Sequence, residues 1–555
     1  MKKEMAHNDV RIRKDKIIFL IILIIYFSIL ALVVPPVFET NDDRTIMNII
    51  SGQYGEEYSA YAIFIGYPLS YILSKLYMLI PAISWYGLFF CGTIVFSAWV
   101  IIGDFFKKIR ENGKNNLLYI GISINLLIIY TNMFIVQQFT VISAILIATA
   151  IYKILRKDSW TGIIILCILS YETRSDVFVM SIPFLIAAGI WNGMDGKIHM
   201  GIIIRNCLPL LGVILSIIAV GKVTNEIAYS SSEWKGYNSY HKERVSLYDY
   251  TDYMGNDKYK EMCLDEGISK KDYYITNTYN LLLDNSITPH KMKKIENIVS
   301  KTRKDNIIVK VLKVIYYDIL NCLGNYWKYT ILTLLMDIAV ICILMRNNNT
   351  GKKLVWVCLV FGKYVIISYF VWMSRLPNRV YLALFIISLV LDIYILREGT
   401  LRCRKYIKQI CVVISIVICL LLTRSNVENY KYINVKNKEY KKVNEYCQQH
   451  TENKYLLAIN YVWDCTAKSL ENNKEYMFYL EPWLARSPMV KSYLTKNKCG
   501  DFGSMLLKKR TFYIVYKSYD IKEMSEYMKE RFGNIKLEKI DNIDQKYFIY
   551  HFYKK

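Results

Sequence analysis

The sequence predicts an α-helical polytopic membrane protein with about eleven transmembrane helices and a small C-terminal extracytoplasmic α/β domain. Three observations carry this. Hydrophobic residues make up 54% of the 555 residues, and the mean hydropathy is +0.20. Uncharged apolar runs of spanning length alternate with short basic loops. From Ser425 onward the hydropathy drops, and short aromatic and β-branched runs alternate with a helical pattern.

The excess of 71 Lys+Arg over 47 Asp+Glu gives a formal charge of +24. In a soluble chain such an excess points to nucleic acid. Here the cations lie between apolar runs, where they report orientation and attraction to anionic headgroups, so membrane lipids are the expected partners and nucleic acid is not. Eight of the thirteen cysteines lie in or beside apolar segments, where a thiol acts as a small hydrophobe. The six histidines form no HxH or HExxH pattern that would support zinc.

Residues 1–16 form a polar tail carrying Lys2, Lys3, Arg11, Arg13, Lys14 and Lys16, and the apolar run from Ile17 to Val34 follows. The positive-inside rule places this tail in the cytoplasm. Residues 17–424 form the transmembrane domain, with outer loops at 35–85 and 223–325, and 425–555 form the soluble domain. Counting 62–80 as a span would put Lys107, Lys108, Arg110 and Lys114 outside. Gly66, Pro68 and Pro81 also interrupt it, so it reads as a re-entrant or juxtamembrane segment. The predicted spans are 17–34, 86–103, 117–132, 134–153, 160–171, 176–191, 205–222, 326–345, 354–372, 379–396 and 408–423. In the soluble domain, Tyr455 to Ile459, Thr511 to Tyr516 and Tyr547 to Tyr553 read as strands, and Tyr519 to Phe532 as a helix.

Three outer-face clusters carry potential chemistry. Phe38-Glu39-Thr40-Asn41-Asp42-Asp43-Arg44 puts adjacent carboxylates just beyond the first span. Desolvation raises a carboxyl pKa and a neighbouring charge splits a pair's titrations, so two acids can divide roles; equally, either could cap a short helix through Ile46 and Ile50. Tyr171-Glu172-Thr173-Arg174-Ser175-Asp176 is wedged between two spans. Arg174 there suits an anionic phosphate, or pairs internally with Glu172 or Asp176. Ser374-Arg375-Leu376-Pro377-Asn378-Arg379 places cations against the positive-inside bias, for an anionic ligand or for outer-leaflet phosphates. Lys222, Lys235 and Arg244 are weaker candidates of the same kind. Trp234, Tyr237, Tyr240, His241 and Asp249 suit either a sugar-binding surface or an aromatic belt.

The order of these features resembles the GT-C superfamily of membrane glycosyltransferases, which includes protein mannosyltransferases and aminoarabinose transferases. In that family an acidic pair in the first outer loop holds the catalytic acid, and Asp42 and Asp43 fall on its two positions. Gly66-Tyr67-Pro68-Leu69-Ser70-Tyr71 is similar to the family's PPL-x-Y stretch, without its second Pro, and Thr173-Arg174 looks like its Arg at an outer helix end. The chain has no WWDYG-like segment, which argues against an oligosaccharyltransferase. The resemblance implies transfer of a sugar from a polyprenyl-phosphate donor to a cell-wall polymer, surface glycan or lipid-linked glycan. Asp42 and Asp43 would be catalytic, and Arg174, Arg375 and Arg379 would bind the donor phosphate. Glu172, Asp176, Tyr67 and Arg244 would contact substrate. A divalent cation, magnesium or manganese, on Asp42 and Asp43 is left open. A lipid-linked glycan flippase or transporter and a glycan polymerase are the alternatives. The abundance of Lys, Ile, Asn and Tyr suggests an AT-rich genome, as in some Gram-positive bacteria.

Overall fold

The computed structural model describes residues 2–54, 57–111, 116–194, 200–302, 307–373, 375–399, 401, 404–458, 464–467, 476–519 and 521–555. Lys114, Ser374 and Ile459 lie outside them.

The first half of the chain is a helical succession: α1 (Lys2–Val33), α2 (Asn41–Ile50), α3 (Tyr67–Leu79), α4 (Trp85–Glu111), α5 (Asn116–Ile135), α6 (Phe139–Leu155), α7 (Trp160–Thr173), α8 (Ser175–Gly193) and α9 (Met200–Ala228). Next come α10 (Ser232–Asp249), α11 (Lys260–Asp265), α12 (Lys270–Asn277), α13 (Pro289–Lys301) and α14 (Ile307–Leu320). The last long helices are α15 (Trp327–Leu344), α16 (Thr350–Trp372), α17 (Asn378–Glu398) and α18 (Lys405–Gln449).

Among the described residues, nine helices are long and apolar enough to cross a membrane: α1, α4, α5, α8, α9, α15, α16, α17 and α18. Two shorter apolar helices, α6 and α7, have 17 and 14 residues. These eleven match the eleven predicted segments in order. Helix α6 is apolar on every side and buried except at Lys153, packing against α4, α7, α8 and α17. An all-round apolar helix needs such enclosure. Helix α3 has 13 residues. At 1.5 Å per residue it reaches about 20 Å, about as far as α7 with its 14 residues.

Asp104 of α4 anchors one end of the bundle. It is buried, pairs with Arg156 (3.1 Å) and Arg397 (2.9 Å), and accepts from the Tyr152 hydroxyl at 3.1 Å. Lys108 lies 3.8 Å from Glu398, and Arg110 pairs with Asp15 at the same end. Inside the bundle, Trp356 of α16 donates to Asp392 of α17 at 2.7 Å, with Asp337 and Lys363 buried beside them.

The hydropathy drop at residue 425 falls inside α18, whose 45 residues span about 68 Å and carry the chain from the apolar bundle to a sheet. Tyr440, Val443 and Cys447 near its end pack on Ile514 and Ile549. Two short strands, β1 (Val37–Phe38) and β2 (Val136–Gln137), pair in parallel within the bundle. The C-terminal sheet contains β3 (Lys454–Leu457), β4 (Met477–Tyr479), β5 (Thr511–Tyr516), β6 (Ile535–Ile543) and β7 (Tyr547–Lys554), in the order β4-β3-β5-β7-β6. β3 is parallel to β4 and β5, whereas β7 is antiparallel to β5 and β6. Helices α19 (Pro488–Lys496), α20 (Phe502–Met505) and α21 (Ile521–Phe532) accompany it. The α/β domain is therefore present, with β4 and β6 added to the predicted strands.

Candidate functional site

The site grows from the start of α2. Pairing of β1 with β2 pins the chain after α1 onto the α5–α6 junction, and Glu39 N–H donates to Gln137 O at 2.8 Å. The C-terminal domain closes the other side. Phe38 N–H donates to Cys465 O (2.7 Å), Ala467 N–H donates to Pro36 O (3.2 Å), and Arg44 pairs with Asp464 (2.8 Å). The backbone of Thr40 is extended, so α2 begins at Asn41 and both aspartates fall in its first turn, where the helix dipole favours negative charge.

The two aspartates differ in kind. Asp43 is fully buried, and its Oδ1 accepts from the Tyr86 hydroxyl (3.0 Å) and the Phe139 N–H (3.2 Å), while Thr40 Oγ1 lies 3.4 Å from Oδ2. Burial pushes its carboxyl well above the ordinary range; Asp42 and Glu39 push the same way, and the Tyr86 and Phe139 donors oppose them. Asp42 is only half-buried, with no hydrogen bond or ion pair among the described residues. Desolvation raises its carboxyl too, and Arg379, then Arg174 and Arg244, pull it back. Glu39 is likewise raised by burial and lowered by Arg379.

The arginines have distinct partners. Arg174, at the α7–α8 turn, pairs with Asp176 (2.8 Å) and lies over Phe139 (5.3 Å) and Phe64 (5.8 Å). Arg375 pairs with Asp249 at 3.0 Å and lies over Tyr250. Arg244 is buried and donates to the Tyr279 hydroxyl, while its Nε has no partner among the described residues. Arg379 has no carboxylate within ion-pair distance among the described residues, and its charge acts on Glu39 and Asp42. The charges of Arg379, Arg174 and Arg244 thus all act on Asp42, against that of Asp249.

No family model, curated protein or solved structure matches this chain.

The remaining predicted residues hold the frame. Glu172 is buried at the end of α7, and the Leu69 N–H faces its carboxylate, so it caps α3. A Cβ on Gly66 would sit 1.9 Å from Glu172 Oε2, so the backbone approaches closely there. Asp176 is exposed and serves as the Arg174 partner. Tyr67 is half-buried, with its ring against Tyr61 (5.4 Å) and Tyr71 (6.1 Å). Trp234, Tyr237 and Tyr240 are buried, with Tyr61 stacked on Trp234 at 4.7 Å, so they pack rather than present a surface.

Two further groups reach the site. Glu481, from the segment after β4, is buried and accepts from Asn41 Nδ2 (3.0 Å) and Thr45 Oγ1 (2.7 Å). Burial, aided by the charge of Asp42, raises it to about 7. His241 of α10 is pushed down to about 3 by burial and Arg244, and so is neutral at physiological pH. The Tyr237 hydroxyl donates to Trp483 O (2.7 Å), which leaves its oxygen to accept from His241 Nδ1–H across 3.1 Å. Sequence carried no signal for Glu481, a lone acid 440 residues from Asn41.

A cavity of about 470 Å³ opens beside Glu39 and Thr40, and another of about 640 Å³ beside Phe64, Gly66 and Ser175. Among the described residues no group of three or more His, Cys, Asp or Glu is disposed to hold a metal ion. Among the described residues neither the Asp42 nor the Glu39 carboxylate has a hydrogen-bond or ion-pair partner, so either can take a proton, and Arg379 suits an anion.

Proposed function

We propose that this protein is an integral membrane glycosyltransferase that moves a sugar from a polyprenyl-phosphate donor to an extracytoplasmic glycan acceptor. The observation that carries the reading is Asp42: a partly desolvated carboxylate in the first turn of a helix, with no hydrogen bond or ion pair among the described residues and under the charges of Arg379, Arg174 and Arg244. In this reading the N-terminus is cytoplasmic and the sheet domain extracytoplasmic. In support, the basic residues Lys108, Arg110, Arg156 and Arg397 gather at the bundle end away from the sheet domain, as the positive-inside rule expects. Helices α6 and α7 then join the nine longer ones to make eleven crossings.

The acceptor hydroxyl gives its proton to Asp42 as its oxygen attacks the anomeric carbon. The bond from that carbon to the phosphate oxygen breaks, and polyprenyl phosphate leaves. Arg379, unpaired among the described residues, meets the charge growing on the phosphate, with Arg174 and Arg375 held near by Asp176 and Asp249. Asp43 does not take part in proton transfer. It fixes the pitch of α2 through Tyr86 and Phe139, and Glu481 holds the same turn from the other side. A single displacement inverts the anomeric centre.

Membranes holding wild-type or Asp42→Asn protein, supplied with radiolabelled undecaprenyl-phosphate sugars, test this. Transfer of label to extracted glycan should fall by about 10²-fold or more in the variant, the usual contribution of a general base. Equal transfer rejects the assignment. The flippase reading draws on a different observation, the buried Asp337, Lys363 and Asp392 inside the bundle. It predicts that Asp392→Asn, not Asp42→Asn, abolishes surface delivery.

A further inference from the structure

Three ionisable side chains meet inside the apolar bundle. Asp337 of α15, Lys363 of α16 and Asp392 of α17 are 7%, 6% and 4% exposed, and they line a space of about 10 Å³ together with Trp356 and Ser388. All three helices are long and apolar enough to cross a membrane, where an uncompensated charge is costly. Asp392 comes 13 residues after Arg379, about 20 Å along α17, so the group is set apart from the cluster at α2.

The hydrogen bonding of the group is incomplete. Trp356 Nε1–H donates to Asp392 Oδ1 (2.7 Å), whereas Asp337 Oδ1 is buried with no donor among the described residues. The Ser388 hydroxyl is given to Phe385 O (3.0 Å) and so supplies none. Lys363 has no carboxylate oxygen within ion-pair distance among the described residues, and its ammonium lies 4.7 Å from the centre of the Tyr364 ring. The Asp337 and Asp392 carboxyls are within hydrogen-bonding reach of each other, and Cys322 and Tyr364 are the further titratable groups that face the three. Helix α8 adds only Phe184 to the wall, and Asp318 of α14 is engaged by the Ser368 hydroxyl (2.6 Å).

The count of charges decides what completes the group. Two carboxylates and one ammonium leave one negative charge, and neighbouring carboxylates resist ionising together. One proton on the pair cancels that charge and supplies the O–H that Asp337 Oδ1 lacks. A metal ion fits poorly, because the space holds about one water, the two carboxylates are its only charged oxygen ligands, and Lys363 repels a cation.

We infer that Asp337, Lys363 and Asp392 form a proton-binding site within the bundle, in which the two carboxyls share one proton. The site is independent of the reaction assigned to Asp42. Loss of the proton would leave a bare carboxylate between α15 and α17, so the packing of these helices depends on its occupancy.

Infrared spectra of full-length protein in nanodiscs at neutral pH count the proton. Wild type minus Asp337→Asn and wild type minus Asp392→Asn should each show one protonated-carboxyl C=O band that shifts down in D2O, because either substitution leaves a single carboxylate balanced by Lys363. Lys363→Met should add a second such band of similar area, since both carboxyls must then be neutral. Trp356→Phe keeps both acids and should move the band in frequency while keeping its area. Spectra in sodium chloride and in choline chloride should coincide. The inference is overturned if the full band survives in both single Asn variants, if Lys363→Met leaves the band area unchanged, if Trp356→Phe does not move the band, or if sodium removes it.

Discussion

Removing the Asp43 carboxyl should cost stability, and removing the Asp42 carboxyl should not. In Asp43→Ala the Tyr86 hydroxyl and the Phe139 N–H, now 3.0 and 3.2 Å from Oδ1, keep their burial and lose their acceptor. Each stranded donor costs about 1–3 kcal/mol, so the pair costs about 4 kcal/mol; the 3.4 Å contact from Thr40 adds little. Asp43→Asn keeps an acceptor oxygen of similar shape and should cost about 1 kcal/mol. Asp42→Ala breaks no hydrogen bond seen among the described residues and should stay within about 0.5 kcal/mol of wild type. The assay is thermal unfolding of detergent-solubilised protein followed by intrinsic tryptophan fluorescence. Asp43→Ala should lower the midpoint by roughly 3–4 °C. If Asp42→Ala destabilises as much as Asp43→Ala, or if neither does, the division of roles at the start of α2 is wrong.

Three other outcomes follow from the same geometry. Asp104→Ala strands the Tyr152 hydroxyl and takes a buried carboxylate from the half-buried Arg156 and Arg397, which keep Asp158 and Glu398, and should cost about 3 kcal/mol in the same melt, more than Asp15→Ala at Arg110. The raised carboxyl of Glu481, near 7 when folded against about 4.5 when unfolded, contributes stability that is full below pH 4.5 and lost as pH rises through 7. Wild type should therefore lose midpoint between pH 5 and 8, and Glu481→Gln should flatten that slope. Gly66→Ala would put its Cβ 1.9 Å from Glu172 Oε2 and push that carboxylate off the Leu69 N–H, so the melting midpoint should fall, with Gly92→Ala, where space is open, as the control.

The helical segments were legible because each apolar run must satisfy its own backbone hydrogen bonds, which leaves a long periodic trace in the sequence. Segment 62–80 was read against its hydropathy through Gly66, Pro68 and Pro81, and α3 begins at Tyr67, directly after the first of them. The edges of the soluble domain were less visible. Helix α18 continues past Ser425 because its polar half packs Val443 and Cys447 against the sheet, a tertiary contact with no local signature. Strand β6 was missed because most of it, apart from Ile535, Leu537 and Ile543, is exposed and largely polar, as an edge strand permits. At the site, the sequence singled out Asp42, Asp43, Arg174, Arg375 and Arg379, but not the different surroundings of the two aspartates. That difference depends on Tyr86 and Phe139, 43 and 96 positions away from Asp43. Glu481 and the partner Asp249 likewise acquire meaning only once the chain has folded, whereas the Arg174–Asp176 pair was one of the two readings of that turn.

The most direct test of the central claim is the composition of cell-surface glycans. The gene is deleted and complemented with wild type or with Asp42→Asn at matched membrane levels, and sugars and linkages are compared by mass spectrometry. The account predicts that deletion removes a sugar that wild type restores and Asp42→Asn does not. Full restoration by Asp42→Asn would contradict it and leave Asp42 as a first-turn acid of α2 with no chemical role.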